Sequence, residues 1–109
     1  MKFKVIVTEN FERKVKRLAN KYRSLKTDLK PVFDQLSVIP NLGTAIGNDC
    51  YKIRLSISSK GRGKSGGARI ITFVRFAKGT VFLIDIYDKS EKESISEIEL
   101  IELISLILE

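Results

Sequence analysis

The sequence predicts an α+β domain: an N-terminal strand, a two-helix hairpin, a three-stranded antiparallel sheet section and a C-terminal helix. Two observations carry most of this. From Tyr51 to Ile57 apolar and polar residues alternate strictly, with Tyr51, Ile53, Leu55 and Ile57 on one side and Lys52, Arg54 and Ser56 on the other. Successive side chains of a strand point to opposite faces, so this is a half-buried strand. Arg69 to Phe76 is then apolar and β-branched on both faces, as expected near the centre of a sheet.

The flanking segments supply the remaining elements. Phe3 to Val7 reads as a first short strand, and Thr8 as the N-cap of a helix with Glu9 and Glu12 near its positive end. Phe11, Val15, Leu18, Ala19 and Tyr22 make one apolar face, while Arg13, Lys14, Lys16, Arg17 and Lys21 make a basic outer one. After a turn at Lys21 to Lys26, the stripe Leu29, Val32, Phe33 and Leu36 marks a second helix. Asp28 is its expected N-cap, which puts Pro31 in the first turn. Pro40 to Asp49 reads as a loop. Lys78-Gly79 signals a hairpin turn into a strand from Val81 to Tyr87. Ser94 and Glu97 resemble a capping box opening a helix from Ile95 to Leu108. That helix is apolar around most of its circumference, so it either completes the core or meets another protein.

At 109 residues this is one domain, spanning 1–109. Charge is unevenly spread. Residues 1–92 hold all 20 Lys and Arg against 8 acids, whereas residues 93–109 hold 5 acids and no base. The basic body suggests a polyanionic partner, although Lys-rich helices also serve solubility alone. Cys50 is the single cysteine, so no internal disulfide forms, and a reducing, cytoplasmic setting is expected. No signal peptide or membrane-spanning run is visible.

Chemistry is restricted by the absence of histidine, which excludes the usual imidazole acid–base pair. No metal cage is recognisable among the acids, and no cofactor is expected. Gly63-Lys64-Ser65 matches the second half of a phosphate-binding loop, but the first glycine of that motif falls on Ser58 and a strand follows where a helix is needed. What remains is Lys, Arg, Tyr and Ser around a sheet. Between its two central strands Ser59 to Gly67 carries Lys60, Arg62 and Lys64, four glycines and no acid. Lys52 and Arg54 are expected as an exposed row beside this loop and beside Arg69. RNA brings its own nucleophile, the 2′-OH, so clustered bases suffice for strand cleavage: a Lys whose neighbours depress its pKa accepts the proton, and Arg holds the phosphorane. The same residues also fit a surface that binds RNA and cleaves nothing.

Three stretches, DCYKIRL (49–55), GRGKSGGARII (61–71) and IDIYDKSEKE (84–93), resemble the RelE/HigB family of bacterial toxin endoribonucleases in the RelE/ParE superfamily. The order of elements is similar across most of the chain. The resemblance implies a RelE/ParE-like fold and the toxin of a type II toxin–antitoxin pair, a metal-independent mRNA endoribonuclease acting on the ribosome. It also implies a small protein antitoxin as partner and no membrane, and it leaves both a homo-oligomer and a toxin–antitoxin hetero-oligomer open. Carried over residue by residue, Lys52 and Arg54 match the family's basic pair, with Lys52 the candidate base. Arg69 matches the phosphate-stabilising arginine, and Lys89, with Lys92 nearby, the basic position after the last strand that protonates the leaving 5′-oxygen. Lys60, Arg62, Lys64 and Lys92 are the expected RNA contacts. The family's base-stacking Tyr has no counterpart in Ser94-Ile95-Ser96. The alternatives are a non-catalytic ParE-like gyrase inhibitor and a plain basic RNA-binding module.

Overall fold

The computed structural model describes residues 2–60 and 66–108. Its elements are β1 (Lys4–Val7), α1 (Glu9–Lys21), α2 (Leu25–Leu36), β2 (Thr44–Gly47), β3 (Cys50–Leu55), β4 (Ala68–Arg75), β5 (Thr80–Asp88) and α3 (Glu97–Leu108). The strands form one five-stranded sheet in the order β1-β5-β4-β3-β2, so β4, buried along all but its last residue, lies at its centre, as its sequence predicts. β1 runs parallel to β5, and the other neighbours are antiparallel.

The α+β architecture agrees with the sequence reading, and three local details differ. The expected loop before Cys50 contains β2, joined to β3 by the two residues Asn48 and Asp49 at φ 56° and 59°. Two successive left-handed residues make the tight hairpin turn whose twist matches the strands. The second helix begins at Leu25, so Asp28 lies inside it and Pro31 is seven residues in. Freed from capping its own helix, the Asp28 carboxylate accepts from the Ser58 amide at 2.9 Å and the Ser58 hydroxyl at 2.6 Å. At the last helix the capping box is Ser96 with Glu99: the Glu99 amide donates to Ser96 Oγ and the Ser96 amide to Glu99 Oε1.

Each face of the sheet has its own core. On one, Phe11 and Leu18 of α1 and Leu25, Leu29, Val32 and Leu36 of α2 pack on Ile53, Leu55, Ile70, Val74, Val81, Leu83 and Ile86. On the other, Cys50, Ile71, Phe73, Ile84 and Tyr87 meet Leu100, with Leu103, Ile104 and Ile107 of α3 partly buried beside them. Burial, helped by the neighbouring Asp49 charge, pushes the Cys50 thiol up to about 12, which leaves it an inert core group. The outer side of α3 keeps Ile98, Ile101, Leu106 and Leu108 exposed.

A bulge at Ile84 sets the phase of β5. Ile71 pairs with Asp85 and Thr72 with Leu83, so Ile84 is an extra residue. Val81 and Leu83 face the helix pair, as the alternation requires, and beyond the bulge Ile86 takes that side while Tyr87 turns to the α3 side. The N-terminus of α1 is tied to the same place. Thr8 Oγ1 donates to the Leu83 carbonyl at 2.8 Å, and Asn10 Nδ2 to the Ile84 carbonyl at 2.8 Å.

Gly43 enters β2 at φ +98°, and a Cβ there would sit 2.3 Å from the Lys52 carbonyl oxygen. Backbone cannot yield as a side-chain tip does. Gly43→Ala is therefore expected to cost roughly 1–3 kcal/mol, read as a lowered denaturation midpoint, whereas Gly47→Ala meets no atom and pays only for its left-handed φ.

Candidate nucleic-acid interface

The register places Arg54 and Arg69 in one lateral row, with Lys52 two residues along β3 opposite Ile71. On β3, Lys52 and Arg54 share the face opposite Ile53 and Leu55, with Lys52 half-buried and Arg54 exposed. Arg54 lies directly across from Arg69 of β4, and Arg69 directly across from Tyr87 of β5. Two arginines thus stand at directly opposed positions of the sheet. Arg69, in the central strand, is 5% exposed, with its Nη1 donating to the Ala68 carbonyl at 3.1 Å. Burial in the central strand limits its motion.

Lys89 follows β5, and its amide donates to the Gly67 carbonyl at 3.0 Å, two residues before Arg69. Its ammonium donates to the Glu93 carbonyl at 3.0 Å. The row thus brings Lys52, Arg54, Arg69 and the Lys89 segment to one end of the sheet.

The outer contacts are a different matter. Arg62 and Lys64 lie outside the described residues. Lys60 is turned inward: its ammonium makes an ion pair with Asp88 at 2.7 Å and stands 5.3 Å from the centre of the Tyr22 ring. Lys92 is ion-paired with Glu99 and stands 5.6 Å from the centre of the Tyr87 ring. Both charges are engaged within the protein in this structure.

Sequence reasoning missed Asp88, the most heavily bonded side chain near the site. It is fully buried and accepts from Tyr22 Oη at 2.6 Å, Lys60 Nζ at 2.7 Å, Ser90 Oγ at 2.7 Å and the Ser90 amide at 2.9 Å. Lys21 adds a longer pair at 3.7 Å. Burial works against the charged carboxylate, but Lys60, Tyr22 and Ser90 outweigh it and hold the group well below the ordinary carboxylate range. One carboxylate thereby joins the end of α1, the base of the glycine-rich loop and the turn that carries Lys89. Its signal in sequence is an Asp at a strand end with Ser two residues on, the pattern of an Asx turn.

Among the described residues no three His, Cys, Asp or Glu side chains come together as a metal site, and no helix is long and apolar enough to cross a membrane.

No protein-family model matches the chain. Solved structures do. A free-state variant of the Escherichia coli toxin RelE, with two arginines replaced by alanine, superposes with a TM-score of 0.61 at 23% identity, over 85% of this chain and 90% of that one. The chain has the RelE fold. The isolated E. coli RelE toxin covers more of the molecule, 96% of this chain and 98% of RelE, at 24% identity and a TM-score of 0.51.

Because the Asp88 carboxyl is depressed in the folded state, its contribution to stability is complete above the ordinary Asp value near pH 4 and is lost as the pH falls below it. Stability is expected to decline between about pH 5 and pH 2, and Asp88→Asn to flatten that decline. Asp88→Ala leaves Lys60 without its partner and is expected to cost roughly 3–5 kcal/mol in chemical denaturation. A midpoint unchanged in Asp88→Ala would mean that the network does not support the fold.

Proposed function

We propose that this protein is the toxin of a type II toxin–antitoxin pair and cuts mRNA on the ribosome without a metal. The observation that carries the proposal is the opposed pair Arg54 and Arg69, with Lys52 on the same face, in a chain of RelE fold. In the proposed reaction Lys52 accepts the proton of the RNA 2′-OH as that oxygen attacks the adjacent phosphorus. Arg69 and Arg54 hold the non-bridging oxygens as charge builds on them. Lys89 gives a proton to the departing 5′-oxygen, leaving a 2′,3′-cyclic phosphate. Every bond broken or formed at phosphorus belongs to the RNA, so the protein supplies position, charge and proton transfer only.

A protein antitoxin is the proposed regulator. The outer side of α3 offers Ile98, Ile101, Leu106 and Leu108 to solvent, which supports a partner beyond this chain. Cationic residues on the sheet support an acidic segment that excludes RNA by charge. The cytoplasm is the proposed setting.

Expression of the chain alone is expected to halt bacterial growth. Arg69→Ala, checked for folding by circular dichroism, is expected to relieve it through a loss of about 10²–10³ in cleavage of ribosome-bound mRNA. Lys52→Arg keeps the charge but gives up a proton poorly, so ribosome binding is expected to stay near wild type while cleavage slows. Full toxicity of a folded Arg69→Ala protein removes that residue from the mechanism. Salt-sensitive RNA binding without strand scission favours the plain binding module, and arrested gyrase with intact mRNA favours the ParE-like reading.

A further inference from the structure

Tyr22 stands at the C-cap of α1, with its ring packed against the helix-pair core and its hydroxyl donating to Asp88 Oδ2 at 2.6 Å. The other carboxylate oxygen, Oδ1, accepts from Lys60 Nζ at 2.7 Å, Ser90 Oγ at 2.7 Å and the Ser90 amide at 2.9 Å. One oxygen is therefore tied to α1 and the other to the turn after β5. That turn closes a second time on the Asp88 carbonyl, which accepts from the Glu91 and Lys92 amides at 3.0 Å each. Lys89 lies between the two tethered residues, and its own amide is fixed on the Gly67 carbonyl. Lys21 also approaches Oδ2, at 3.7 Å, but it is half exposed and supplies charge without a fixed direction. Among the described residues, Tyr22 gives that buried oxygen its short, directed bond.

We propose that Tyr22 is a positioning residue for strand cleavage: through Asp88 it sets the turn that presents Lys89 to the leaving 5′-oxygen. The proposal rests on the endoribonuclease reading, in which Lys89 is the proton donor. Tyr22 packs on the face of the sheet that carries Ile53 and Leu55, whereas Lys52 and Arg54 occupy the opposite face, so it acts through Asp88 and not on RNA. A proton donor must sit within hydrogen-bond reach of the departing oxygen, and a small displacement of its turn costs rate steeply. Without the Tyr22 hydroxyl, Oδ2 keeps only the longer Lys21 pair. A buried acceptor seeks a partner, so the carboxylate turns toward Lys21 and draws Oδ1 off Ser90. The turn then loses the bonds that flank Lys89.

The test uses the full chain with Tyr22→Phe, which keeps the ring and the Lys60 ammonium over its face and removes only the hydroxyl. Two ribosome-bound mRNAs are compared, one ordinary and one with sulfur in place of the bridging 5′-oxygen at the mapped cut position. Sulfur departs as a thiolate and needs no acid. We expect Tyr22→Phe to cut the ordinary strand roughly ten- to a hundredfold more slowly at an unchanged KM, and the sulfur strand at the wild-type rate. In a Lys89→Ala background the same substitution is expected to add no further loss. Ser90→Ala, made on the exposed side of the turn, is expected to give the same split and serves where Tyr22→Phe does not fold. Equal slowing on both strands, or none on either, overturns the proposal and leaves the nuclease reading standing. Amide exchange at Lys89 and Ser90, followed by NMR, reads the turn without cleavage, and it is expected to quicken in Tyr22→Phe while β3 and β4 stay protected. A wild-type protein that cuts neither strand sinks the nuclease reading; faster exchange at Lys89 then still assigns the turn to Tyr22, and unchanged exchange overturns that as well.

Discussion

The extra residue at Ile84 is the constraint on which the site depends. A strand alternates strictly, so Val81, Leu83, Asp85 and Tyr87 would share one face if β5 were regular. With Ile84 inserted, Tyr87 moves to the α3 face across from Arg69, and Asp88 moves to the helix-pair face, where Tyr22 and Lys60 reach it. The bulge is held from outside the strand. Asn10 of α1 donates to the Ile84 carbonyl and also to Asp85 Oδ1, and Lys14 pairs with the same carboxylate at 2.6 Å. β1 ends at Val7, opposite Leu83, so the edge of β5 beyond it is open to these side chains. The first helix therefore does two things at once: it fills one core, and it fixes the phase of the strand that carries half of the site.

Much of the architecture was readable because it is written in simple periods. β3 announces itself by alternation, β4 by apolar and β-branched residues on both faces, and the first two helices by single apolar stripes. β2 escaped because Thr44–Gly47 is short and mixed, though Asn48-Asp49 before an alternating strand was a usable hairpin signal. The Ile84 bulge is not legible at all, since an apolar run on both sides gives no phase to lose. The same divide runs through the site. Lys52 and Arg54 follow from the pattern of β3. The burial of Arg69 comes from the central place of β4, and the inward turn of Lys60 from Asp88, which only the bulge brings within reach.

Charge at this end of the molecule is sorted by depth. Asp88 absorbs Lys60 and part of Lys21, while Glu99 absorbs Lys92. Arg54 and Lys52 remain on the surface above the buried Arg69. Ion pairs that are well bonded and largely buried fix geometry more than they add stability. Here they fix the turn carrying Lys89 and the base of the glycine-rich loop against α1, so the cationic row stands on a rigid frame. Preorganised charge of this kind suits a reaction whose transition state gathers negative charge at one phosphorus. With no histidine in the chain, nothing else in the sequence supplies a conventional acid–base pair.

The account stands on RNA providing its own nucleophile to this cationic row. The most direct measurement replaces the ribose at the mapped cut position of a ribosome-bound mRNA with 2′-deoxyribose and follows cleavage by the purified protein. The account predicts that the deoxy substrate still binds and is not cut, while the all-ribose strand yields a 2′,3′-cyclic phosphate end. Cleavage at the deoxy position, or a product ending in a 3′-hydroxyl, contradicts it.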